Sequence, residues 1–292
     1  MENYFVAFGD AFSGTVNWVW QSITFNVPWY TNYFWGLILI SFAVWGLELI
    51  FPWRKDQKAF RKDFWLDGFY MFFNFFVFAI VIAGFYAVFE MLFDTLGIKM
   101  SSLSIVNLSA LPMWAQLVIF FIVLDFVQWL THVALHRFPF LWQFHKVHHS
   151  VEEMGFAAHL RYHWMENILY KPLKTFGVMI LGGFEPSQAF IVHFAAITIG
   201  HLNHANIRLT WGPLKYIFNN PLMHIWHHAQ DLPAERKYGA NFGISLSVWD
   251  YVFKTNYIPF EGRDIKLGFP GVEKFPQDFV KQNLYGFKKP KQ

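Results

Sequence analysis

The stretch from Asp125 to Ser150, DFVQWLTHVALHRFPFLWQFHKVHHS, constrains this chain more than any other, because it sets His132, His136, His145, His148 and His149 directly after an apolar run. At helical pitch Asp125, Gln128, Trp129, His132 and His136 share one face. Pro139 ends that helix, and His145, His148 and His149 recur at i, i+3, i+4 on a second, short one. The same device returns as His224-Ile-Trp-His227-His228, just after Pro221, a residue suited to a first helical turn. Neutral imidazole is a strong donor to iron, zinc, copper and nickel, and this spacing aims several rings at one point. A lone histidine is more often a core residue satisfied by hydrogen bonds; repeated sets at ligand spacing point to metal. If the helices pack together, the groups 132/136, 145/148/149, 163 with 201/204, and 224/227/228 converge. One metal takes about four to six ligands, so this many imidazoles imply two metals.

The surroundings of these histidines read as membrane. Only 15% of residues are charged and 55% are hydrophobic, against about 25% charged in soluble proteins. Residues 33–51, 64–93 and 111–130 are apolar runs long enough to cross a bilayer. The aromatic stretch 4–32 suits either a membrane interface or a short packing helix. It holds no Lys or Arg, so the first span is expected to act as an uncleaved insertion signal. Five basic residues in 52–63 (Arg54, Lys55, Lys58, Arg61, Lys62) place that loop in the cytosol by the positive-inside rule, and the third span then delivers the histidines to the same face. Residues 168–200 form two short apolar stretches about a turn at 182–186, a hairpin that crosses the bilayer or re-enters it. The expected architecture is all-α: one membrane-embedded unit over 1–292, with spans in 33–110, a histidine-rich region at 111–256 forming a cytosolic helical cap over a dimetal site, and a cytosolic tail at 257–292.

The donor set narrows the chemistry. There is no cysteine, which excludes thiolate-ligated centres and disulfides. An all-nitrogen site suits iron or zinc; redox work requires iron, whereas zinc supports Lewis-acid or hydrolytic chemistry. A zinc-dependent membrane hydrolase is therefore the alternative, although the H-E-x-x-H string that carries a general base is missing. Haem needs one or two axial histidines, far fewer than are present. A net charge of +3 with scattered basic residues gives no case for nucleic acid. Among residues near the ligands, Asp125 is placed to accept from a ligand N–H, Glu166 is the best of the later acids because it follows His163 by three, and His201 reads equally as ligand or as supporting partner. His159 and His193 are weaker candidates, the latter isolated in an apolar stretch.

With these residues in view, the chain resembles the fatty acid hydroxylase / sterol desaturase superfamily of integral-membrane di-iron enzymes. LWQFHKVHHSVEEM is similar to the family's LWxFHxxHHSxExM segment, LRYHWMEN to RxHxxE, NHANIRL to HSNIRL, and the 219–255 segment to its NTPxMHxxHH…NYGxxLSxWDxxFGT ending. The likeness covers roughly 120–256. It implies His132, His136, His145, His148, His149, His163, His204, His224, His227 and His228 as metal ligands, with Asp125 matching the family's acid ahead of the first pair. Val133 and Ala229 stand where Arg and Ser are common, which bears on the subfamily and removes no ligand. The resemblance implies two iron ions, zinc being able to replace them in a purified sample. It implies O₂-dependent hydroxylation or desaturation of a lipid from the bilayer, with electrons from an external carrier, at the cytosolic face of a bacterial inner membrane or the endoplasmic reticulum.

Overall fold

Tyr33–Ile50 carries no charge before Glu48, and in a computed structural model this run is a single helix, α2, capped at its start by the Asn32 side chain, which accepts from Trp35 N at 3.1 Å. The structure describes residues 2–97, 104–182 and 186–287. Before α2 stands α1 (Glu2–Ile23), so the aromatic stretch is a long packing helix. It lies along α4 (Phe78–Thr95) and packs tightly at Gly84, where a Cβ would meet the Phe8 ring at 2.5 Å. The second apolar run divides into α3 (Phe64–Phe72), a π-helical turn over Phe73–Val77 and α4 (Phe78–Thr95). The third run is α5 (Met113–Arg137). Among the described residues three helical stretches are long and apolar enough to cross a membrane: Tyr33–Ile50, Phe64–Thr95 and Met113–Arg137. Leu39, Phe42, Phe85, Phe89, Val118 and Leu130 on these stretches are exposed, an apolar surface of the kind that meets a membrane or another protein.

The remaining helices are α6 (Pro139–His149), α7 (Trp164–Leu181), α8 (Pro186–His204), α9 (Pro221–His227), α10 (Val248–Val252) and α11 (Phe279–Tyr285). No strand occurs among the described residues, only isolated bridges such as Phe218–Leu246 and Ala229–Leu267. Helices α7 and α8 are the expected hairpin, whose turn at 183–185 lies outside the described residues.

Buried polar groups fix the cap to the spans. Glu48, near the end of α2, accepts from Phe156 N at 2.8 Å and Asn206 N at 2.7 Å. Arg161 is 1% exposed and pairs with Asp63 and Asp67, each at 3.0 Å. A buried guanidinium persists only with such partners, and since Arg161 also donates to Ser150 Oγ at 2.8 Å, the cluster sets the start of α3 against the end of α6. The tail is not loose: Phe269, Val272 and Phe275 pack with Tyr70 and Val147, and Gln282 accepts from the Tyr70 hydroxyl at 3.0 Å.

Candidate metal centre

Successive residues of a helix are turned by about 100°, so in an H-x-x-H-H sequence the first and last rings lie close in angle while the middle one points away. This is how α6 and α9 each serve two places at once. His145 and His149 of α6 join His132 and His136 of α5 and His227 of α9; His148 of α6 joins His204 of α8 and His224 and His228 at the end of α9. Within each group the ligand atoms lie within 4.8 Å of one another. The groups are adjacent, with His149 and His228 ring centres 4.5 Å apart. None of the nine is more than 9% exposed. Pro139 and Pro221 start α6 and α9, the latter with Asn220 accepting from Met223 N at 3.1 Å.

The outer ring nitrogens fix the tautomers. His132 Nδ1 donates to Phe242 O at 2.8 Å and His145 Nδ1 to Glu166 Oε2 at 3.0 Å, yet their Nε2 atoms face each other at 3.1 Å. In the second group His148 Nδ1 donates to Arg161 O at 3.0 Å and His204 Nδ1 to Gly200 O at 2.8 Å, with their Nε2 atoms 3.5 Å apart. A neutral imidazole has one proton, so both pairs turn lone pair against lone pair. His227 Nε2 is buried with no hydrogen-bond partner, its Nδ1 being committed to Ala240 O at 2.8 Å. Burial pushes His145, His149, His224, His227 and His228 well below the usual imidazole range and His148 down to about 4, so protonation does not relieve this crowding. Burial also pushes the Glu166 carboxyl up to about 8; positive charge beyond His145 would reverse that cost. Two inward-facing sets of neutral nitrogen donors, each partly held from outside, fit one metal cation apiece.

Three expected residues sit elsewhere. His163 is in neither group: its Nε2 donates to Asn283 O at 2.8 Å and its Nδ1 accepts from Met165 N at 3.1 Å, which leaves no free nitrogen. Asp125 does not touch a histidine. Its carboxylate accepts from Ser245 N at 3.0 Å, Leu246 N at 3.2 Å and Trp249 Nε1 at 3.0 Å, and so holds the 242–250 loop whose Phe242 carbonyl orients His132. His201 lies outside both groups, with Nε2 3.1 Å from Ser41 Oγ and Nδ1 2.8 Å from His159 Nδ1. His193 is remote, stacked near Tyr33 and Phe75. Glu166, singled out for following His163 by three, meets the ring of His145 and not that of His163. Glu152 and Glu153 bind Lys62 at the exposed edge of the cap.

Asp250 escaped the sequence reading. It accepts from Phe242 N at 2.9 Å, Gly243 N at 2.8 Å, Trp129 Nε1 at 3.2 Å and Thr255 Oγ1 at 2.6 Å. Its only sequence signal is the Trp-Asp pair that follows Gly243.

A cavity of about 490 Å³ opens from the histidines between the long helices, with His132, His145, His148, His204 and His224 in its wall. That volume is in the range of small-molecule sites. Most of the remaining lining is aromatic or aliphatic, including Trp18, Tyr33, Phe75 and Ile197.

The chain thus joins three apolar helical stretches of spanning length to two adjacent imidazole groups in the wall of a largely apolar cavity. Residues 117–255 match the fatty acid hydroxylase family. Ornithine lipid hydroxylase OlsE of Rhizobium tropici is 31% identical over 160 residues, 55% of this chain and 47% of that protein. Alkylglycerol monooxygenase of Caenorhabditis elegans is 30% identical over 135 residues, 45% of this chain and 25% of the other. Fatty acid hydroxylase vlmA of Lecanicillium sp is 27% identical over 168 residues, 51% and 44%. The matches thus span half or less of each of these relatives. No solved structure matches significantly.

Proposed function

We propose that the chain is a membrane-bound lipid hydroxylase whose two histidine groups hold two iron ions. The observation that carries this reading is the pair of adjacent, buried, all-imidazole groups with inward lone pairs, set in the wall of an apolar cavity. Iron bound there would supply O₂ activation and hydrogen abstraction from an unactivated C–H bond, chemistry that zinc cannot perform. The residues present supply the rest. The cavity has room for an acyl or alkyl chain beside His132, His145, His148, His204 and His224, and a chain seated there would displace water from them. Glu166 and the Phe242, Arg161, Gly200 and Ala240 carbonyls orient five of the nine imidazoles, His145, His132, His148, His204 and His227, before substrate arrives.

Names of the relatives support a lipid as substrate and addition of one oxygen as the reaction. The reaction also needs electrons, which an external electron-transfer protein would supply. The basic 52–63 loop supports a cytosolic location for the cap. Mass spectrometry of lipids from cells with and without the gene tests the proposal. One lipid class should gain a single oxygen in the wild type and lose it in a His148→Ala strain; unchanged lipids in a strain making metal-loaded protein would contradict it.

A further inference from the structure

Helix α7 presents two faces of opposite kind. Ile168, Pro172 and Leu173 are exposed on one side, while Asn167, Tyr170, Lys171, Lys174 and Thr175 line the cavity that reaches the histidines. Lys171 and Lys174 are spaced i, i+3 and therefore point the same way. They stand five and eight residues after Glu166, roughly 8 and 12 Å along the helix axis at 1.5 Å per residue. Lys174 also lines a second cavity of about 360 Å³ between α5 and α8. Neither lysine belongs to an ion pair among the described residues. The carboxylates in the two cavity walls take their hydrogen bonds elsewhere: Glu166 with His145, Asp125 from Ser245, Leu246 and Trp249. Lys174 has an aromatic neighbour, its ammonium 5.5 Å from the Tyr170 ring centre, and Thr175 lies 3.2 Å from the Tyr86 hydroxyl. An ammonium pair in a largely apolar cavity between long apolar helices is costly, and among the described residues the fold offsets it only in part: Asp125 favours the Lys174 charge from beyond ion-pair distance. Its counterpart is therefore a ligand group that arrives with the lipid.

We propose that the cavity takes a lipid with an anionic headgroup, carboxylate or phosphate, and that Lys171 and Lys174 bind this headgroup while its chain lies against the histidine groups. This rests on the hydroxylase reading and adds the substrate class and two specificity-determining residues. The test is equilibrium binding of radiolabelled hexadecyl phosphate to the purified full chain, with hexadecanoic acid, hexadecanol and inorganic phosphate as competitors. A charge-assisted contact is worth enough to give the two anionic amphiphiles an advantage of about tenfold or more over hexadecanol. The Lys171→Gln/Lys174→Gln variant should bind them no better than hexadecanol, with hexadecanol affinity unchanged. Equal competition by hexadecanol in the wild type, or a preference that survives in the double variant, would overturn the proposal. So would displacement by inorganic phosphate at the concentration that hexadecyl phosphate needs, which marks a free-anion site. Should the double variant fail to fold, the wild-type competitor series and the Lys171→Arg/Lys174→Arg pair still decide, since both must favour the anions. Metal content measured on the same samples separates the two readings. Metal-loaded protein without anion preference removes the lysine assignment alone; protein that binds the anions but no metal removes the hydroxylase reading.

Discussion

Nine of the ten histidines that the resemblance marks as ligands come together, and the tenth shows what spacing leaves out. His163 sits one residue before α7 begins, and its ring is turned to the tail by Asn283, a residue more than a hundred positions away. Nothing local to His163 announces that contact. His163→Ala should therefore keep wild-type metal content, measured by elemental analysis, and mainly lower the melting temperature. Loss of one metal equivalent would restore it to the ligands. Glu166 behaves differently because it holds a histidine from outside. Glu166→Gln replaces an anionic acceptor by a neutral one at His145, and losing such a partner typically costs about 10–100-fold in metal affinity or activity. Wild-type metal affinity in that variant would make Glu166 a packing residue.

At the scale of elements, α2, α5, α6 and α9 are legible because periodicity, prolines and an Asn cap act within a few residues. The loop 242–250 is not, since its shape depends on two buried carboxylates from different parts of the chain. Asp125 and Asp250 receive its amides, and Gly243 fits only because it has no side chain: a Cβ would meet Leu246 O at 2.4 Å and Asp250 Oδ2 at 2.9 Å. Those are a backbone atom and a fixed carboxylate, neither free to yield. Gly243→Ala should displace the Phe242 carbonyl from His132 and lower both metal occupancy and melting temperature, the latter by an amount equivalent to about 1–3 kcal/mol. A variant with unchanged metal content would show that this loop does not position His132. The π-helical turn at 73–77 was also invisible. There Asn74 donates to Tyr162 O at 2.8 Å and accepts from Asn167 at 3.2 Å, contacts that no local pattern encodes.

For the whole molecule, apolar runs and charge placement suffice to give helices of spanning length, but not the way α1 closes over α4, which depends on ring packing across Gly84. The positive-inside reading places Lys58 and Lys281 on the cytosolic side and Asn26 on the other. The chain has no cysteine, so single Lys58→Cys, Lys281→Cys and Asn26→Cys variants report sidedness without background. Lys58→Cys and Lys281→Cys should react with an impermeant maleimide from the cytosolic face only, and Asn26→Cys from the opposite face only. Lys58 and Asn26 labelled from one side would exclude a crossing by α2. All of these expectations depend on helices distant in sequence closing two adjacent cages of neutral imidazole. Elemental analysis of the full chain, purified without chelators, tests that claim most directly. Two metal ions per chain are predicted, falling to about one when His148 and His204 of the second group are replaced together by alanine; a wild-type stoichiometry of one or fewer would contradict it.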